Sequence, residues 1–262
     1  MRSNLFSLEK MDGQERLREA LEMRGFLVEK DGPFLALTSG SSKADLVDVK
    51  RLLNSLNIPI FWNDDRFQLL TNKFPVIMMK KITAYRGEEF PVSMEGYHFR
   101  WRAFVNRKHG LKVDALKLDP YISSFVKAVN QAGIPCLAGC DGHLKFAPNL
   151  QFSGVYSGAW FQVIKEQYLN DLELNYTWKV EYRGGSGSKL VACKGGDERW
   201  DTHKIYGDTL KMAYKLKDYA DEIKSRKACS FKRNVQMKEE AEFYRVNGRF
   251  EELSEWMAKV SE

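Results

Sequence analysis

Gly133-Ile-Pro-Cys-Leu-Ala-Gly-Cys-Asp-Gly-His143 is the stretch whose reading decides the fold. Before it, Asp119-Pro120 reads as an N-cap and first-turn proline, and Ile122, Phe125, Val126 and Val129 recur at helical spacing. Gly133 ends that helix, and the proline at 135 rules out its continuation. Cys136 to Cys140 then reads as a strand, Asp141-Gly142 as a turn, and Asn149 to Phe152 as the returning strand. The unit is a helix followed by a hairpin.

An earlier stretch has the same form. A helix over 44–57 carries Leu46, Val49, Leu53 and Leu56 on one face. Asn57-Ile-Pro follows, then a strand to Trp62, a turn at Asn63-Asp-Asp65 and a strand over 66–70. Alignment on the two Ile-Pro pairs sets Asp65 opposite Asp141. Each helix is also preceded by strand-like residues: Phe26–Lys30 and Phe34–Leu37 about an Asp31-Gly-Pro turn in the first case, and Tyr97–Val105 in the second. The expected fold is therefore α+β, with two tandem ββαββ-like units that read as an internal duplication.

The remainder adds a helix over 12–24 with Asp12 and Glu15 as a capping box, a helix over 159–172, and a hairpin, 176–182 and 189–193, about the Gly-rich tip 184–188. A long amphipathic helix over 201–226 and a helix pair over 236–247 and 249–260, broken near Gly248, complete the chain. The domain expectation is a first unit over 1–85, a second over 86–200 that carries the Cys/His turn and the added hairpin, and C-terminal helices over 201–262 packing on the sheet.

With 262 residues, 44% hydrophobic, the chain has enough material for a sizeable core. It has no apolar run of membrane-spanning length, and its first residues lack the apolar centre of a signal peptide. Four cysteines are too few for a disulfide scaffold, so a cytoplasmic location is expected. The charge excess of +6 is local. Between Lys73 and Lys117 lie ten basic and four acidic residues, and Lys224 to Arg233 holds five basic residues and no acid. DNA or RNA is the partner class this favours, through Arg100, Arg102, Arg107, Lys108, Lys227 and Arg233. A protein partner is the alternative. In Tyr97–Val105, however, strict alternation sets Tyr97, Phe99 and Trp101 on one strand face and Arg100 and Arg102 on the other, which reads equally as core against solvent.

Cys136, Cys140 and His143 have ligand-like spacing for zinc, with Cys193 or His203 as a source of a fourth donor. The competing readings are two structural cysteines, and Cys140 with His143 as nucleophile and base. Asp65 and Asp141, brought to a pseudo-two-fold axis, would instead hold a divalent ion such as Mg for phosphodiester hydrolysis, with His143 beside them. Ordinary turn chemistry explains the same aspartates.

Asn130-Gln-Ala-Gly-Ile-Pro-Cys-Leu-Ala-Gly-Cys-Asp-Gly-His143 resembles a family of bacterial and phage proteins of uncharacterised activity, which carry G-I-P-T, then S-C-x-G-H, then a strand. Cys140, Gly142 and His143 match that pattern, and Cys136 and Gly139 depart from it. Leu137-Ala-Gly-Cys-Asp-Gly-His143 is also similar to the motif of LAGLIDADG-type homing endonucleases, with a helix, a hairpin and a further helix following in a like order. That resemblance implies DNA binding and metal-dependent cleavage through Asp141. The family motif closes a helix, whereas Pro135 argues for a strand here. The reading that follows is a nucleic-acid-binding protein of phage or mobile-element type, carrying Zn or Mg if it is a nuclease. The alternative is a protein-interaction module that modulates a host protein and whose Cys/His turn is structural.

Overall fold

The computed structural model describes residues 11–38, 41–86, 101–106, 114–184, 187–196, 198–231 and 235–262. The chain divides into two compact units: Met1–Phe90 with Asp114–Ser124, and Pro91–Val113 with Phe125–Glu262.

In the first unit, α1 (Gly13–Arg24) leads into β1 (Val28–Asp31) and β2 (Phe34–Leu37), then α2 (Lys43–Ser55), β3 (Ile60–Asn63), β4 (Arg66–Leu69) and α3 (Val76–Ala84). Both long helices start at side-chain caps. The Asp12 carboxylate accepts the Glu15 amide at 2.7 Å, and Ser42 and Asp45 form a reciprocal capping box. The four strands pair antiparallel in the order β1-β2-β4-β3. Leu35, Phe67 and Leu69 alternate inward onto Leu17, Leu21, Val49, Leu53 and Ile82, all in one buried cluster. Each such Leu, Ile or Phe contributes roughly 1.5–3 kcal/mol by leaving water.

The second unit repeats that order. α4 (Trp101–Asn106) is followed by α5 (Ser123–Gln131), β5 (Cys136–Cys140), β6 (Asn149–Phe152), α6 (Val155–Ile164) with a π turn over Lys165–Leu169, β7 (Thr177–Arg183) and β8 (Gly187–Cys193). α7 (Thr202–Asp218), α8 (Ala220–Ser230), α9 (Val235–Val246) and α10 (Phe250–Val260) complete it. The strand order is β5-β6-β8-β7, again antiparallel throughout. Leu150, Phe152, Trp178 and Leu190 point to the buried side, where Trp160, Phe161 and Ile164 of α6 are also buried. α10 packs along α6, and its Phe250 stacks on Tyr182 with ring centroids 4.7 Å apart.

The α+β class and the two similar units are as expected, with three corrections. The residues after Arg100 form helix α4 rather than a strand, because Trp101 and Phe104, three apart, both enter a buried aromatic cluster with Tyr156 and Phe231. Tyr97–Arg100 lie outside the described residues. The hairpin β7–β8 is not an addition: β8 pairs with β6, so it forms the second half of one sheet. The 201–226 helix is two helices, which meet at Tyr219 with φ −102° and ψ 8°.

The repeat itself is smaller than the unit. Helix plus hairpin recurs four times, twice per sheet, and three copies share one exit. Phe26, Ile58 and Ile134 each donate their amide to the carbonyl five residues back (Leu21, Leu53, Val129) at 2.9–3.1 Å. The residue before each is left-handed: Gly25 at φ 114°, Asn57 at 52° and Gly133 at 76°. The next carbonyl (Leu27, Pro59, Pro135) then accepts from the residue after the returning strand, Thr38, Leu70 or Ser153, at 2.9–3.0 Å. Matching the Ile-Pro pairs thus aligns the second module of one sheet with the first module of the other. In the whole-unit correspondence, the hairpin opposite β5–β6 is β1–β2, and Asp65 does not stand opposite Asp141.

Candidate functional site

The β5–β6 connection departs most from the module. β1–β2 and β3–β4 turn in two residues each, whereas eight residues, 141–148, join β5 to β6. They begin with a 3-10 turn over Gly142–Leu144 in which three consecutive residues are left-handed: φ 78° at Gly142, 49° at His143 and 61° at Leu144. This reversal folds the His143 ring back onto the preceding carboxylate. His143 Nδ1 lies 3.1 Å from Asp141 Oδ1, which also accepts the His143 amide at 3.0 Å. Asp141 is buried and His143 half-exposed. Cys140 Sγ accepts the Gly142 amide at 3.4 Å. The ligand atoms of Cys140, Asp141 and His143 lie within 4.8 Å of one another.

Cys136 is not part of this group. Two cysteines four apart on a regular strand would share a face. A register shift between Cys136 and Ala138 reverses the alternation, so Cys136 pairs with the inward Phe152 while Cys140 pairs with the outward-facing Asn149. The Cys136 thiol is fully buried and points at the Ala138 carbonyl, and burial pushes its pKa far up. It is a small core side chain and not a ligand. Cys193 and His203 stand outside the cluster as well.

No family model, no curated protein and no solved structure matches the chain.

The remaining expected site residues are dispersed. Asp65 sits in the exposed β3–β4 turn of the first unit. Arg102 is exposed on α4, and Arg100, Arg107, Lys108 and Arg233 lie outside the described residues. Lys227 is buried, which corrects its place on a nucleic-acid surface. Its ammonium donates to the Gly133 carbonyl at 2.7 Å, at the end of α5, and lies 4.2 Å from the Phe104 ring centroid. A cation so placed serves the helix terminus and the aromatic cluster.

The sequence reading missed the outward sheet faces. In the first unit Phe34, Phe61, Arg66 and Gln68 alternate to the side opposite the buried Leu35, Phe67 and Leu69. The Phe34 and Phe61 rings are 6.2 Å apart and the Arg66 guanidinium lies 5.2 Å from the Phe34 ring centroid. Arg66 also pairs with the exposed Asp31 at 3.2 Å. In the second unit Asn149, Gln151, Lys179, Glu181, Arg183 and Lys189 share the outward face, with Gln151, Lys189 and Glu181 in one cross-strand row. Lys189 pairs with Glu181 at 3.0 Å. Period-two alternation in 66–69 and 177–183 was the available signal. It could not be used without knowing which strands are neighbours.

Proposed function

We propose that this is a nucleic-acid-binding protein that holds its ligand on the outward faces of its antiparallel sheets. The observation that carries the reading is the grouping of Phe34, Phe61 and Arg66 on one such face, with Phe61 49% exposed. Exposed rings stack bases, and an adjacent guanidinium neutralises phosphate. On Tyr97–Val105 the alternation would have set the two residue types on opposite faces; here they share one. Lys179 and Arg183 on β7, Lys189 on β8 and the amides of Asn149 and Gln151 on β6 give the second sheet a matching donor-rich surface.

Helix–hairpin–helix–hairpin–helix is the order that the LAGLIDADG resemblance implies, and it supports the same reading. The residues that carried that resemblance do not support cleavage in the family's manner. Leu137–Cys140 is strand and Asp141 opens a 3-10 turn. The helix-closing pairs ahead of the first hairpins are Arg24-Gly25 and Ala132-Gly133, and neither holds a carboxylate. A phage or mobile-element origin is a finer proposal that rests on the resemblances.

Fluorescence anisotropy with single-stranded DNA, single-stranded RNA and duplex, each across a salt series, tests the reading. Phe61→Ala should weaken binding by about 5- to 150-fold, the range of about 1–3 kcal/mol per stacked base. Arg66→Ala should reduce the log–log salt slope by about 0.7–0.9. Absence of binding to all three at low salt, or unchanged affinity in both variants, overturns it.

One observation favours a protein partner instead. Val235, Phe243 and Val246 lie close to one stripe of α9 and are 71%, 51% and 67% exposed. A stoichiometric protein complex that survives nuclease treatment and is lost in Phe243→Asp would make that the primary function.

A further inference from the structure

We infer that Cys140, Asp141 and His143 form a binding site for a transition-metal ion of the zinc class. The inference is independent of nucleic-acid binding. It rests first on donor placement. A tetrahedral ion bound at about 2.0–2.3 Å needs ligand atoms about 3.3–3.8 Å apart. The sulfur, carboxylate and imidazole donors already lie within 4.8 Å of one another, so closure requires rotamer adjustments of about an ångström and no rearrangement of the strand.

Donor chemistry sets the class of ion. One thiolate and one imidazole among three donors select a borderline-soft ion, whereas Mg and Ca require oxygen ligands. The backbone supports a charged sulfur, because the Gly142 amide points at Cys140 Sγ from 3.4 Å. The buried Asp141 carboxylate holds the imidazole beside the sulfur, with Oδ1 accepting the His143 amide at 3.0 Å and lying 3.1 Å from His143 Nδ1. The bulge at Leu137 is what makes the site local, since it turns Cys140 outward and Cys136 inward. Three donors from one loop require at least one further ligand from outside it.

The test is a cobalt titration of the full-length protein after chelator treatment, without nucleic acid. One equivalent should bind with a thiolate-to-cobalt charge-transfer band, and zinc should displace it while millimolar magnesium (about the upper free-ion range) does not. Cys140→Ser should abolish the band, and His143→Ala should weaken binding at least 10-fold, the scale of losing a well-placed ligand or its support. Cys193→Ser should change neither. Cys140 and His143 are partly exposed, so both variants should retain the parent's circular dichroism, which is checked in parallel. Absence of saturable cobalt binding to the parent overturns the inference, as does a charge-transfer band that persists in Cys140→Ser. Magnesium displacing cobalt would also overturn it, because the ion class would then be wrong. Failure of nucleic-acid binding leaves this result untouched, so the two readings fail separately.

Discussion

Asp208→Asn probes how the second unit holds its sheet to the C-terminal helices. Asp208 is fully buried on α7. Its Oδ1 accepts the Asn175 amide at 2.7 Å and Asn175 Nδ2 at 2.8 Å. Its Oδ2 accepts the Tyr176 amide at 3.0 Å and Trp178 Nε1 at 3.1 Å. One carboxylate thus ties α7 to the chain entering β7. An amide keeps the volume but offers one acceptor oxygen. Whichever way it sits, two donors face an NH2 group. The less costly orientation turns the NH2 toward Asn175, whose side chain can still reach the Lys204 carbonyl at 3.4 Å. The part-buried Asn175 backbone N–H then loses its acceptor, at about 1–3 kcal/mol, and the remaining bonds lose their charge assistance, at about 1 kcal/mol or more. The expected loss is about 2–4 kcal/mol. With a urea slope of about 2–3 kcal/mol/M, the midpoint of the transition that releases Trp178 should fall by about 1–2 M. Near-UV circular dichroism in urea measures it. Asp171→Asn, which removes an exposed partner of Lys215 at 2.9 Å, should move the midpoint hardly at all. An Asp208→Asn midpoint equal to that control would refute the four-donor account.

Two further outcomes test packing and charge. A Cβ at Gly158 on α6 would sit 2.2 Å from Ser188 Oγ and 2.6 Å from Ser188 Cβ, and that hydroxyl is held by the Gly154 carbonyl at 2.8 Å. Gly158→Ala should therefore cost about 1–3 kcal/mol by overpacking α6 against β8, and Ser188→Gly in the same chain should recover part of it; an unchanged melting temperature in the single variant would refute the close approach. Glu242 hydrogen-bonds Arg245, which holds its carboxyl below the ordinary value of 4.5 despite partial burial, and the Tyr156 hydroxyl donates to it at 2.8 Å. A depressed folded-state pKa contributes stability that is fully present above 4.5 and is lost as pH falls through the folded value. Glu242→Gln should flatten that acid limb of a stability–pH profile by only a few tenths of a kcal/mol, because the pair is largely solvated; an identical slope in parent and variant would exclude the linkage.

What could be read from the sequence was what local chemistry decides. Asp12, Gly25 and Gly133 mark helix ends because caps act within a few residues, and all three stand at the ends of helices or just beyond them. The segment 101–105 misled because alternation over a few residues also satisfies helical spacing. Trp101 and Phe104 meet, with centroids 5.3 Å apart, only if the chain is helical. Lys227 counted as surface charge until tertiary packing placed the Gly133 carbonyl against it. The pairing of β8 with β6 joins residues some forty positions apart, and no local signal encodes it. At the site, spacing grouped Cys136 with Cys140. One extra residue in β5 reversed the alternation and separated them.

The β5–β6 loop is longer than a hairpin closure requires. Its sister hairpins in the first unit close in two residues, at Gly32-Pro33 and Asp64-Asp65. Lengthening a closure from two residues to eight costs about 1.2 kcal/mol in chain entropy. Left-handed conformations at His143 and Leu144 cost roughly 1–2 kcal/mol each. Apolar burial does not offset these terms, since Leu144 is 55% exposed and Phe146 68%. The compensation present within the loop is polar: the Asp141 carboxylate on the His143 amide, and the Lys145 and Phe146 amides on the Gly142 carbonyl at 2.9 and 2.8 Å. A short turn would close the hairpin at lower cost but could not fold an imidazole back onto the carboxylate two residues earlier, beside a thiol. That arrangement is what the longer loop adds to a module that elsewhere does without it, and a bound ion would be the interaction that offsets its strain.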